Sequence, residues 1–509
     1  MGQAMAEYST LAAVDLGTNS FHCQIARVVG DQIYPLDALR DPVRLGAGLG
    51  KDKRLDETSQ ERALSCLKRF GERLRGLDRH TVRAIGTNTL RVAKNANAFL
   101  RKAEAALGFP IEVVAGREEA RLIYLGVSHS LPVSGEKRLV VDIGGGSTEL
   151  IIGVNHKPQK LDSLFMGCVS YSLQFFPEGR ITKSAMRQAE LAARTELQHI
   201  AANFSRGNWR YAVGSSGTAR ALAEIMQLNG FEDGRITLAG VDRLRSHLIK
   251  AGDMSCAELA GLRADRAPVL PGGLAIMNAV LLELDIDSMV VATGAMRQGV
   301  LYDMLGRFHN QDMRDVTVSQ FTQRYHVDAL QARRVGALAS ELYNKLTAGI
   351  GAPHEDASQF IAWAARLHEI GISVAYSGYH RHSAYIISNA DMPGFSRMEQ
   401  TRLSQLVLAH RRSLRKIRDQ LDPETDWTMV LALRLAALFL CGRSDIAVPV
   451  TGANASGRKF RLNLEREWLA RNPLTVTALR DEIQEWEAFG FDFNVKPLPE
   501  LEPADLIPA

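Results

Sequence analysis

Two stretches of this chain share one plan, and that plan constrains the fold more than any other feature. The first, Leu139-Val-Val-Asp-Ile-Gly-Gly-Gly-Ser-Thr-Glu-Leu-Ile-Ile152, sets three glycines and two carboxylates between apolar runs of strand length. The second, Leu11-Ala-Ala-Val-Asp-Leu-Gly-Thr-Asn-Ser-Phe-His-Cys-Gln-Ile25, repeats it. Asp15 aligns with Asp142, Gly17 with Gly144, Ser20 with Ser147 and Ile25 with Ile152. Glycines in such a turn let backbone N–H groups close on phosphate oxygens, because no Cβ blocks the approach. Asp142 and Glu149 supply hard oxygen ligands of the kind Mg²⁺ prefers. Residues 148–154 continue as an apolar strand with no helix start. That argues against a Walker loop or a dinucleotide fingerprint, both of which open a helix after their glycines. Two such units in register imply a duplicated domain with a phosphate site between its halves.

At 509 residues the chain is too long for one ordinary core, so several domains are expected. No apolar run reaches the ~18 residues needed to cross a bilayer, and no basic start followed by an apolar core marks a secretory signal. Ala6 sits where a myristoylation signal needs Ser or Thr. Five scattered cysteines without CxxC spacing fit a reducing compartment, and neither a zinc site nor a disulfide frame. A cytoplasmic protein is expected. The net charge of +4 is mild, so an extended polyanion would be held by local basic patches. Candidates are residues 410–418, with Arg411 and Arg412, and the run His380, Arg381, His382; solvated helix faces would look the same.

Residues 11–14, 82–85 and 111–114 read as strands, and 56–77 as an amphipathic helix with Thr58 and Glu61 as its capping box. A second helix begins near Arg117. The pattern restarts with a strand at 139–143, a helix at 184–200 and strands at 210–213 and 289–292. From about residue 312, helices are expected at 316–346, 357–369, 398–417 and 427–440. Strands at 459–464 and 491–495 follow, then a frayed tail at 497–509.

Further candidate sites flank the two hairpins. Gly214-Ser-Ser-Gly-Thr218, with Ser216, Gly217 and Thr218, joins a strand to a helix and could seat a phosphate at that helix start, or be a plain β–α turn. Gly86-Thr-Asn-Thr-Leu-Arg91 has the same layout and ends in an arginine able to grip a phosphate with two donors; a capped helix is the alternative. Glu118 and Glu119 open a helix where acids are favoured by its dipole. Glu119 shares a face with Leu122 and Ile123, which would desolvate it as a general base.

Together these segments resemble the exopolyphosphatase / guanosine pentaphosphate phosphohydrolase family. Also matching are Arg117-Glu-Glu-Ala-Arg-Leu122, Met166-Gly-Cys-Val-Ser170, Pro271-Gly-Gly-Leu-Ala-Ile276 and Gly294-Ala-Met-Arg-Gln-Gly299. In the last, Gln298 stands where the family usually has Glu. The resemblance implies an α/β fold of duplicated actin-like (ASKHA) domains at 1–130 and 131–310. An all-α HD-like domain at 311–446 and a small C-terminal α+β domain at 447–509 would follow. In the HD-like part, His368-Glu369 replaces a His-Asp pair and Ala437 stands where a later Asp would fall. A scaffold without a working metal centre is therefore expected, its His380, Arg381, His382 and Arg411–Arg412 lining a polyanion route.

The implied activity is Mg²⁺-dependent, processive release of terminal phosphate from inorganic polyphosphate. The alternatives are guanosine pentaphosphate (pppGpp) hydrolysis, an ATPase or kinase of the same superfamily, and a binding regulator without turnover. Glu119 is the implied base, and Asp142 with Glu149 the implied Mg²⁺ ligands. Asp15, Gly17, Thr18, Asn19, Ser20, Arg91, Gly144, Gly145, Gly146, Ser147, Thr148, Cys168, Ser216, Gly217, Thr218 and Arg266 are the implied substrate-binding set. A homodimer and a peripheral contact at the inner face of the membrane are further expectations; nucleic acid is not expected as a partner.

Overall fold

A computed structural model describes residues 10–132, 134–308, 312–348, 356–417 and 427–498. They form two compact units. Residues up to Met313, with Pro393–Arg397, make the first; Arg314–Met392 and the described residues from Met398 onward make the second.

The first unit holds two sheets of matching order. Strands β1 (Thr10–Leu16), β2 (Phe21–Val29), β3 (Gln32–Asp41), β4 (Val82–Gly86) and β5 (Ile111–Val113) lie in the order β3-β2-β1-β4-β5. Strands β6 (Arg138–Ile143), β7 (Thr148–Val154), β8 (Lys157–Leu164), β9 (Tyr211–Ser215), β10 (Ile236–Thr237) and β11 (Ser288–Val291) repeat it as β8-β7-β6-β9-β11, with β10 added at the edge. In each sheet the first three strands form an antiparallel meander, and the later strands, edge strand β10 excepted, add parallel to the first. The duplication expected from the paired motifs is thus present in the sheet order.

Period-two alternation sorts the strand residues between cores. Ala12, Val14 and Leu16 of β1 face one core, and Leu139, Val141 and Ile143 of β6 face another. Leu11, Ala13, Val140 and Ile151 meet in a third core, which the two sheets share. The helices Gly116–His129 and Met296–Phe308 close that shared core. They cross so tightly that a Cβ on Gly299 would lie 1.7 Å from the Leu122 carbonyl oxygen, so only glycine fits there.

Buried charges fix the Gly116–His129 helix. Arg121 donates 2.8 Å hydrogen bonds to both oxygens of Glu118 and also reaches Asp303. Arg83 bridges Asp303 (2.7 Å) and Glu112 (3.0 Å), and the Gly394 N–H donates to Glu118 at 2.9 Å.

Several sequence expectations need correction. The helix Glu57–Leu74 is capped by Asp56, which accepts from the Ser59 N–H at 2.6 Å, so Thr58 and Glu61 form no capping box. The expected helix 316–346 is two, Met313–Arg324 and Ala329–Thr347. The expected helix 398–417 ends at Ala409 as Arg397–Ala409, followed by a separate 3₁₀ turn, Leu414–Ile417. The second unit is otherwise helical, with Ala357–Leu367, Tyr379–Asn389 and Trp427–Phe439. Its sheet has the order β12 (Val450–Ser456), β13 (Lys459–Leu464), β14 (Asp492–Lys496), and Trp486 packs fully buried against Phe460 and Phe491. Most of the tail expected to fray, residues 499–509, lies outside the described residues. No described helix is long and apolar enough to cross a membrane.

Candidate active site

The two glycine-acid turns meet inside the first unit. They line one cavity of about 440 Å³. A Cβ on Gly145 would stand 2.8 Å from Thr18 Cβ, so the absence of a side chain is what lets the turns approach. The second turn is closed by the Gly144 N–H donating to the Ser147 carbonyl at 2.9 Å. Asp15, Gly17, Thr18, Asn19 and Ser20 line the cavity from one side, and Asp142, Gly144, Gly145, Gly146 and Ser147 from the other.

The other loops arrive by the same strand-to-turn logic. Strand β9 runs into the helix Ser216–Leu228, whose first residue takes φ 79°, a left-handed conformation that strains a non-glycine residue. Ser216, Gly217 and Thr218 line the cavity, as do Cys168 and Arg266. Thr218 Oγ1 donates to the Ile143 carbonyl at 2.8 Å, tying this loop to β6. Thr87 precedes the short helix Asn88–Val92, makes no side-chain cap and lines the cavity instead.

Glu119 also lines the cavity, beside Ile123. Its neighbour Glu118 is bound into the buried ion network, so the two acids have separate roles in the structure. Arg91 is not on the cavity wall. It donates to Glu119 Oε2 at 2.5 Å and to the Val114 carbonyl at 3.1 Å, placing it behind the carboxylate. Glu149 lies opposite Asp142 across the β6–β7 ladder, but it is buried off the cavity and accepts from Ser163 Oγ at 2.8 Å. Thr148 likewise points away, its hydroxyl donating to the Met166 carbonyl at 2.7 Å.

Acids and arginines share the cavity wall. Burial pushes the Asp15 carboxyl up to about 7; Arg297 opposes this and Glu119 and Asp142 add to it. Burial likewise pushes Asp142 up to about 6, against a hydrogen bond from Ser215 and with help from Glu119. Glu149 is raised by burial and by the Glu119 and Asp142 charges. Arg40, Arg220, Arg263, Arg266 and Arg297 line the same cavity. Burial, then the charges of Arg297, Arg40, Arg266 and Arg220, hold the His22 imidazole down at about 2. His22, Arg40, Arg220 and Arg263 were not singled out from the sequence, whereas Arg297 is the arginine of the Gly294–Gly299 motif. The available signal was His22, which sits opposite Asp15 in the hairpin register.

Asp15 Oδ1, both polar side-chain atoms of Asn19 and Ser20 Oγ are buried without a protein hydrogen-bond partner. Hard oxygens left unsatisfied beside the Asp142 carboxylate fit Mg²⁺, which keeps several waters and takes one or two carboxylates plus substrate phosphates. Among the described residues no three His, Cys, Asp or Glu side chains converge to hold a metal by themselves. A cation shared with substrate is the arrangement this donor set suits.

The second unit's candidates are differently placed. His380 is buried against Tyr379 and His410, with ring centroids 6.3 Å from each, so it lines no polyanion route. Arg411 lies over the Tyr379 ring, while Arg381 and Arg412 are exposed and His382 is half-buried.

Residues 24–308 match the sequence model of the Ppx/GppA phosphatase family, and residues 313–483 match that of the family's domain III. The chain belongs to the Ppx/GppA phosphatase family. As a member it is a hydrolase acting on phosphoanhydride bonds. Its fold is similar to that of an exopolyphosphatase from Cytophaga hutchinsonii, at 26% identity and TM-score 0.54, over 58% of this chain and 98% of that one. An exopolyphosphatase-like protein is similar at 24% identity and TM-score 0.53, over 58% and 97%.

Proposed function

We propose that this Ppx/GppA phosphatase is an exopolyphosphatase, releasing the terminal phosphate of inorganic polyphosphate in the presence of Mg²⁺. The cavity lining carries the reading. Five arginines share the cavity with the acids of the glycine turns, and among the described residues no Phe, Tyr or Trp lines the wall. A chain of phosphates finds charge along its length there, whereas a purine would find no ring of those kinds to stack on.

In this reading Glu119, held by Arg91, takes a proton from a water that attacks the terminal phosphorus. The bridging P–O bond breaks, and the shortened chain departs with the electron pair. Amides of Gly145–Ser147, with Asn19 and Ser20, hold the terminal phosphates in line with the attacking water. Asp142, with Asp15 beside it, would hold Mg²⁺, which when bound neutralises phosphoryl oxygens. Glu149 then supports Asp142 from behind and does not meet substrate.

Phosphate release from long polyphosphate and from guanosine pentaphosphate, each with Mg²⁺ and with chelator, tests this. The expected result is a higher kcat/KM on polyphosphate, lost on chelation. A higher kcat/KM on the pentaphosphate would overturn the substrate assignment.

A further inference from the structure

The hairpin register lays Asp15, His22 and Arg40 side by side on β1, β2 and β3. Side chains paired across neighbouring strands share a face, so this row spans about 10 Å over two strand spacings. The duplicated sheet has its own row at the matching places: Asp142, Glu149 and Ser163. The first row therefore ends in a cation where the second does not.

That cation has an unusual partner. Arg40 Nη2 is ion-paired with Asp265 Oδ2, and Arg263 Nε lies 3.3 Å from the other oxygen of the same carboxylate. Arg40 belongs to the first sheet, while Asp265 and Arg263 precede the turn Ala267–Val269 in the second half, so the pair bridges the two halves. Arg40 and Arg263 both line the cavity, and Arg266, which follows Asp265, lies against Gly217 of the Ser216–Thr218 loop. Side-chain exposures of 26% for Arg40 and 19% for Asp265 leave the pair within reach of solvent, unlike the sealed Arg83–Asp303 and Arg121–Asp303 pairs. Burial raises the Asp265 carboxyl, but the hydrogen bond and charge of Arg40, then Arg263 and Arg266, outweigh it and hold it low. It is an anion lodged between two guanidiniums, offering them the two-oxygen acceptor edge that a phosphate would offer.

We propose that Arg40 and Arg263 form a subsite for a phosphate upstream of the reacting end, which Asp265 occupies in the free protein and yields to the arriving chain. Asp265 is then a resident competitor. It lowers the apparent affinity for long chains by the fraction of time it holds the arginines, and it leaves a chain too short to reach them little affected. The inference rests on the polyphosphate reading above.

Two measurements separate the failure of one from the failure of the other. Steady-state hydrolysis of long polyphosphate and of tripolyphosphate is compared for wild type, Asp265→Asn and Arg40→Gln. Binding of both polymers is titrated for the same three proteins with Glu119→Gln added, so that affinity is read without turnover. Releasing a solvent-reachable ion pair should lower KM and Kd for long chains by about 3- to 10-fold in Asp265→Asn, and for tripolyphosphate by clearly less. Arg40→Gln should raise both constants for long chains. If wild type releases no phosphate from polyphosphate yet Asp265→Asn still binds long chains more tightly, the substrate reading falls and the subsite stands. Unchanged or weaker long-chain binding in Asp265→Asn, or equal shifts for both lengths, would overturn the subsite. If Asp265→Asn does not fold, Arg40→Gln decides, and wild-type affinity for long chains in that variant would overturn it too.

Discussion

Glu118 and Glu119 are adjacent in sequence and separated in role by a single step of helix. Glu118 is clasped by Arg121 and the Gly394 N–H, while Glu119 reaches the cavity with Arg91 behind it. Glu119→Gln keeps the shape and removes the proton acceptor, so phosphate release should fall ~10²–10⁴-fold while polyphosphate binding persists. Turnover close to wild type in that variant would remove Glu119 from the chemistry. Asp142 has a stability signature as well. Its carboxyl is pushed up to about 6, so without a cation the folded chain holds this proton more tightly than the unfolded chain does. Stability is therefore lost as pH rises from the ordinary carboxylate range near 4 through 6, and the loss is complete above that. Asp142→Asn should be about 1–3 kcal/mol more stable than wild type in chelator at pH 8, less so at pH 5, and inactive. Thermal unfolding at the two pH values checks this; a variant no more stable at pH 8 would contradict it. The hairpin residues were legible in the sequence because glycine and aspartate at a turn declare their backbone needs locally. Most of the arginines were not. Arg40, Arg220 and Arg263 come from a strand, a helix and a loop, and only the tertiary fold brings them to one cavity.

At the scale of elements, the central strands were readable because each is an apolar run buried on both faces. The third strand of each meander was not, since no residue of β3 or β8 is buried and both alternate poorly. The break in the expected helix 316–346 was also hidden. No Gly or Pro marks it, and it is made by His326 at φ 51° and by Asp328, which caps the next helix through the Leu330 and Gln331 N–H groups. The Gly116–His129 helix, which carries Glu119, depends on an acid far away in sequence. Burial raises the Asp303 carboxyl, but Arg121, Arg307 and Arg83 outweigh it and hold it below the usual range. Its contribution is present above the unfolded carboxylate pKa near 4 and is lost as pH falls below that. Asp303→Asn leaves buried guanidiniums short of charge and should cost about 3–5 kcal/mol at pH 7. Urea unfolding at pH 7 and pH 3 would show a smaller penalty at the lower pH; a loss under 1 kcal/mol at pH 7 would mean the network relaxes without it.

For the whole molecule, a net charge of +4 over 509 residues puts little long-range pull on a polyanion. Attraction is concentrated in the five cavity arginines, all but Arg263 partly buried and so only partly screened. KM for long polyphosphate should therefore rise about 3- to 10-fold when salt increases from ~0.05 to ~0.5 M, with kcat nearly constant. A KM that does not move with salt would mean that these arginines do not meet the substrate.

The five residues Pro393–Arg397 belong to the first unit although the second unit's chain surrounds them in sequence. Translation runs in one direction, so the partner for Glu118 leaves the ribosome long after the sheets it completes. The nascent N-terminal part must wait in an unfinished state, its buried acid short of one donor, until four of the described later helices have been synthesised.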